Sequence, residues 1–326
     1  MMIYVSRLLF SLVSCACAFD LIGVVEPRPY VRLEVLQDGT RALQTSWRRF
    51  DPATGSDQPV VWLIGVAHLG EKSYYEQTQR KLDALELVLF EGIGFDANAS
   101  KRSSSVSRLQ TTLADSLGLV FQLDAIRYDR RSFRNSDLGV SELQAKLSGS
   151  GSSGKKGKKA ADPEVQAFVK MIEGESFALT LFQGILKMFQ GNPQFRAMAR
   201  LVIIETISAT KGDVSKLAGA ASPGMQRLFK TLIDDRNAVV LRDLREVMQE
   251  KDPPSTIAVF YGAGHMTDLE VRLIKQFGYR PADQTWVTAF AVNPAKAGLS
   301  AWETNLVQRL VRAQLDKMSS SRSPKK

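Results

Sequence analysis

Apolar and polar positions along the chain follow two periods, and the changes of period mark out its elements. From about residue 30 to 49 the period is two. Val31, Leu33 and Val35 share one face, Leu43, Thr45 and Trp47 another, and Gln37-Asp38-Gly39-Thr40 lies between them. That pattern predicts an N-terminal β-hairpin. Asp51 to Pro59 is polar, and Val60 to Ala67 is then a continuous apolar run, as expected of a strand buried on both faces of a parallel sheet. Tyr75, Thr78, Leu82 and Leu85 follow at helical spacing within 71–85, and Leu87-Val88-Leu89-Phe90 is a second short apolar run. Strand, helix and strand within about thirty residues have the size of one βαβ unit, with a right-handed crossover expected.

The spacing predicts a helix over 103–119 and a short strand over 121–126. Residues 147–160 are Gly/Ser-rich and then Lys/Gly-rich, the composition of a flexible loop. The chain then reads as helical to about Glu250. Phe177–Phe189 and Phe195–Thr210 are apolar on wide faces, fitting core helices or a lid that touches a membrane. Pro223 suits the first turn of a helix carrying Leu228, Leu232 and Ile233. Thr256–Tyr261 is again a strand, followed by a helix over 268–277 and a strand over 285–292, so the first unit is repeated. Leu306, Leu310 and Leu315 mark an amphipathic helix over 302–318, and 319–326 has the composition of a disordered tail. The expected fold is α/β: a mainly parallel central sheet flanked by helices, with a duplicated βαβ core, a helical insertion between the halves and an N-terminal β-hairpin.

A chain of 326 residues that is 44% hydrophobic can bury a substantial core, and a single domain over 19–318 is expected. Its formal charge of +9 does not imply nucleic acid. Lys155, Lys156, Lys158 and Lys159 fall in the low-complexity tract, and Lys317, Arg322, Lys325 and Lys326 at the C-terminus, which leaves the remainder close to balanced. Residues 1–18 combine a basic start, a short apolar stretch and the small-x-small site Ala16-Cys17-Ala18. They read as an export signal. Leu12-Val13-Ser14-Cys15 overlaps it as a lipobox, so the expected product is either a cleaved periplasmic protein or a membrane-anchored lipoprotein with its lipid on Cys15. Both cysteines lie in this segment, which excludes a disulfide framework, a thiolate nucleophile and a Cys-type zinc site in the mature chain.

Candidate chemistry centres on the two histidines, His68 and His265, the only ones present. Each ends an apolar run in the same pattern, Gly65-Val66-Ala67-His68 and Gly262-Ala263-Gly264-His265. Ligands in open parallel sheets bind beyond the carboxyl ends of the strands. His68, Glu91 and His265 all lie at such ends and converge if their strands are neighbours. Gly65 and Gly262, and Gly92 and Gly264 beside the ionisable groups, would allow tight turns and close backbone approach. Two imidazoles and a carboxylate form a minimal catalytic metal set with a place for water. The same groups also permit metal-free acid/base hydrolysis. The plainer alternatives are a satisfied core imidazole at His68 and an ion pair or helix cap at Glu91. Arg236, in Asp234-Asp235-Arg236-Asn237, would bind a substrate carboxylate or stabilise an oxyanion, or else pair with an acidic neighbour. Tyr74 and Tyr75 would donate to substrate or pack as core. Gln122, Asp124, Tyr128 and Asp129 form a polar cluster able to line a pocket.

Gly65-Val66-Ala67-His68, Leu89-Phe90-Glu91-Gly92, Asp235-Arg236-Asn237 and Gly262-Ala263-Gly264-His265, in that order, resemble the TraB/PrgY/GumN family, which includes the Tiki proteins. That family is similar in fold to erythromycin esterase and the ChaN group. The resemblance covers about Val60 to Val292. It implies a metal-dependent hydrolase using manganese or cobalt; together with the export signal and the three candidate ligands, the expected protein is an exported hydrolase cleaving a peptide or amide bond, with a divalent ion (manganese, cobalt or zinc) on His68, His265 and Glu91. Glu91 and Arg236 would be the catalytic side chains, acting on a peptide or small-molecule substrate. The alternative it leaves open is a non-catalytic protein that sequesters a peptide or haem. No apolar run after the N-terminal segment reaches membrane-spanning length.

Overall fold

The computed structural model describes residues 28–53, 56–92, 114–147, 191–210, 226 and 228–320. The export signal, the low-complexity stretch over 148–160, the apolar stretch 177–189 and most of the helix expected over 103–119 lie outside these residues.

The N-terminal hairpin forms as the alternation predicts. Strands β1 (Val31–Val35) and β2 (Arg41–Asp51) pair antiparallel, and Gly39 takes the left-handed conformation in the turn, with φ 80°. The apolar runs become β3 (Val60–Val66), β5 (Leu87–Phe90) and β8 (Thr256–Gly262). Two residues, Leu69–Gly70, form β4 and pair antiparallel with β6 (Val120–Phe121) in a separate ribbon. Helix α1 (Lys72–Asp83) connects β4 to β5 and buries Tyr74, Tyr75, Thr78 and Leu82. The strand expected over 121–126 is only this short β6. The chain turns at once into a single helical turn, α2 (Gln122–Ala125), and Gln122 N–H donates to the carbonyl of His68. Next come β7 (Phe133–Asn135), α3 (Val140–Leu147) and α4 (Pro193–Thr210). A turn of π-helix, Lys230–Asp235, leads into α5 (Arg236–Met248). After β8, α6 (Met266–Phe277) ends on Gly278 in the left-handed conformation, a common helix stop. Strand β9 (Arg280–Val292) and α7 (Ala301–Ser320) are the last of the described elements.

Among the described residues the main sheet has seven strands in the order β1-β2-β3-β8-β5-β7, with β9 along the other side of β2. The pairs β3·β8, β8·β5 and β5·β7 are parallel, while β1·β2, β2·β3 and β2·β9 are antiparallel. The sheet is therefore mixed rather than mainly parallel. The reason is β2, which is no appendage: it runs between β9 on one edge and β1 and β3 on the other. Its polar face is buried too, with Gln44, Ser46 and Arg48 all in the interior. The two strand–helix–strand units also interleave instead of following one another, because β8 is inserted between β3 and β5.

That insertion positions the site. β3, β8 and β5 are parallel neighbours in the centre of the sheet, and their carboxyl ends carry His68, His265 and Glu91. Val61, Leu63, Ile64, Val88, Leu89, Ile257, Val259 and Phe260 are essentially inaccessible, so the side chains beyond them stand on a rigid floor.

Candidate active site

His68 is exposed, at the end of a segment clamped from two sides. Tyr74, whose hydroxyl also meets Thr45 Oγ1, accepts from Ala67 N–H at 3.1 Å, while the Tyr75 hydroxyl donates to the Ala67 carbonyl at 2.8 Å. Both tyrosines are core residues that hold the backbone before His68. Gln122 grips it from the other side: its N–H donates to the His68 carbonyl at 2.9 Å and its Oε1 lies 2.8 Å from His68 Nδ1. Gln122 Nε2 in turn donates to the Tyr128 hydroxyl at 2.9 Å. Of the polar cluster after β6, then, Gln122 and Tyr128 serve the site, whereas Asp124 and Asp129 are exposed.

Glu91 follows β5, and its N–H donates to the Phe260 carbonyl of β8 at 3.0 Å. Its Oε2 accepts from Gly262 N–H at 2.6 Å and its Oε1 from Arg236 Nη2 at 2.6 Å. A Cβ on Gly262 would lie 3.1 Å from His68 Nε2 and 3.2 Å from Glu91 Oε2, so the glycine lets both side chains close over the end of β8. Gly65 is likewise crowded, with Ser46 O, Met266 Cγ and Ala263 Cα 3.2–3.4 Å from a Cβ there. Neither glycine has a positive φ. Close approach, rather than a tight turn, explains both.

His265 precedes α6 and is only 5% exposed. Its Nδ1 lies 2.8 Å from Asn237 Oδ1, its Nε2 is 3.7 Å from Glu91 Oε1, and its ring meets Tyr261 edge-on at 5.3 Å. Burial, the largest influence, lowers its pKa to about 4 despite the opposing pull of Glu91. Burial would also raise the Glu91 carboxyl, but Arg236, His265, His68 and the Gly262 N–H together hold it far below the carboxylate range. Glu91 is thus a fixed anion at neutral pH, a poor proton acceptor by itself.

Arg236 faces two carboxylates. Besides Glu91 it meets Asp137 bidentately, Nε to Oδ1 at 2.9 Å and Nη2 to Oδ2 at 2.7 Å. Burial would lower its pKa, and the two anions overcome that and raise it. The expected acidic partners in its own helix are engaged elsewhere, Asp235 with Lys230 and Asp234 with Arg272. Asp137 is absent from the sequence-based site. Its side chain is fully buried and also accepts from Gly92 N–H at 2.9 Å and Leu138 N–H at 2.7 Å. It follows a three-residue strand rich in polar neighbours, with no apolar run to announce it. Asn237, quoted only as part of a motif, is the second missed residue.

The structure thus gathers His68, Glu91, His265 and Arg236. As donors, two imidazoles and an ionised carboxylate suit a divalent cation, and each Nδ1 has the side-chain partner that usually accompanies metal-binding histidines. Among the described residues, however, no three or more His, Cys, Asp or Glu side chains form a group that could hold a metal ion as they stand. Nor, among them, is any helix long and apolar enough to cross a membrane. Comparison with family models, curated proteins and solved structures finds no match for this chain.

Proposed function

We propose that the chain is an exported hydrolase of peptide or amide bonds, with its centre at His68, Glu91 and His265 and a divalent metal ion held by those three. The reading rests on one observation: at the ends of three neighbouring parallel strands, His265 Nε2 lies 3.7 Å from Glu91 Oε1, and His68 Nε2 and Glu91 Oε2 both border the bare Cα of Gly262. The likeness of the four motifs to the TraB/PrgY/GumN family accords with it. The ion would supply a Lewis acid that activates water and polarises the scissile carbonyl. Glu91 contributes a permanent negative charge, fixed in direction by Arg236 and Gly262 N–H. Arg236 is neutralised by Glu91 and Asp137, so its part is to orient Glu91 more than to seize a substrate. His68, exposed at the rim, is where substrate would first meet the site.

A metal-free variant of the same reading rests on His68, which is exposed and whose Nδ1 is held by Gln122 Oε1 at 2.8 Å. There His68 Nε2 takes the proton of an attacking water while Glu91 stabilises the imidazolium. Metal analysis of purified wild type and of the His68→Ala/His265→Ala double variant, with peptide hydrolysis before and after chelation, decides between them. Bound metal lost in the variant, and chelator-sensitive hydrolysis, are expected. Hydrolysis that survives chelation but not His68→Ala selects the metal-free route. A peptide bound and returned uncut, with no metal, overturns the hydrolase reading.

A further inference from the structure

We infer that Asn237 is a positioning residue that fixes the tautomer of His265, placing the proton on Nδ1 and leaving the Nε2 lone pair directed at Glu91. The assignment follows from hydrogen-bond bookkeeping around a fully buried amide. Asn237 Nδ2 lies 2.8 Å from Asp268 Oδ2 and 3.3 Å from the His265 carbonyl, both of which only accept. Rotating the amide by half a turn would set its oxygen against those two acceptors. Its Oδ1 must therefore be the atom facing His265 Nδ1 at 2.8 Å, so the ring donates from Nδ1. Arg272 Nε, 2.8 Å from the same Asp268 oxygen, keeps that carboxylate in place from α6.

The consequence falls on the 3.7 Å gap between His265 Nε2 and Glu91 Oε1. Left to itself, a neutral imidazole beside a carboxylate would turn its N–H toward it. Asn237 instead presents a lone pair to an anion, an arrangement that is favourable only when a cation or a proton donor lies between them. The inference deepens the proposed function and rests on it only for the meaning of that lone pair, not for the tautomer.

With just two histidines in the chain, ¹⁵N-histidine labelling gives two ring systems, assigned by His68→Ala. On metal-free protein at pH 8, His265 should show a protonated Nδ1 and an unprotonated Nε2. Asn237→Leu should move its proton to Nε2 without disturbing His68. If metal binds, Asn237→Leu should weaken it about 10–100-fold. A wild-type His265 protonated on Nε2 overturns the inference whatever the activity, and so does a folded Asn237→Leu with an unchanged tautomer. Should Asn237→Leu fail to fold, the wild-type spectrum still decides. The expected tautomer with neither metal nor hydrolysis would sink the functional reading and leave this one standing.

Discussion

At the scale of single residues the site is held by contacts that leave little slack. Arg236 and Gly262 are the sharpest cases. Glu91 and Asp137 have side chains 12% and 0% exposed, and Arg236 is their shared counter-ion. Arg236→Met would leave two buried carboxylates facing each other and should cost about 3–5 kcal/mol in denaturant unfolding. Arg236→Lys keeps the charge but cannot bridge both partners, and should recover only part of that loss. An unchanged midpoint for Arg236→Met would show that the cluster is wetter than its burial indicates. Gly262→Ala tests something else. Its methyl would press on His68 Nε2 and Glu91 Oε2, and of those the exposed His68 can yield more readily, at the expense of its bond to Gln122. The fold should survive, at a cost of about 1–3 kcal/mol. Metal uptake or hydrolysis should fall well beyond what that loss explains, read by thermal melting beside activity.

At the scale of elements, much of the site was legible and part of the sheet was not. The apolar runs ending in His68, Glu91 and His265 are local signals, and the structure makes them adjacent parallel strands. The place of β2 was illegible, because its partners β3 and β9 are chosen by long-range pairing that alternation within residues 31–49 does not encode. The same applies to Asp137, 99 residues from the guanidinium it holds. Arg48 is the clearest sign that β2 is interior. It would be a surface residue on a half-exposed hairpin, yet it is buried, bonds Glu270 of α6 at 2.5 Å and donates to the carbonyls of Arg28 and Pro29. Arg48→Met should destabilise by about 3–5 kcal/mol, since it strands the Glu270 charge. The double variant Arg48→Met/Glu270→Leu should lose clearly less than the two single changes combined, as expected for a buried pair removed together. Additive losses in chemical denaturation would mean the ion pair is not what ties α6 to β2.

For the molecule as a whole, stability against pH reports the state of the centre, because so few groups titrate between neutrality and the carboxylate range. His265 has a folded pKa of about 4 against an ordinary 6.5, so between those values the unfolded chain binds more protons than the native one. Its contribution is complete above pH 6.5, declines as the pH falls toward 4, and is spent below that. The size is on the order of 3 kcal/mol. The carboxylates held low, Glu91 first among them, stay ionised through that window and release their share only at lower pH. Metal-free protein is the proper sample, since a bound ion would add its own proton linkage. Its melting temperature should be level from pH 8 to about 6.5 and fall between 6.5 and 4. His265→Gln should flatten that interval while keeping the further loss below it. A wild-type curve already flat down to pH 4 would mean that His265 is protonated in the native state. Its Nε2 would then donate to Glu91, and the centre would be a closed ion pair rather than an open pair of donors.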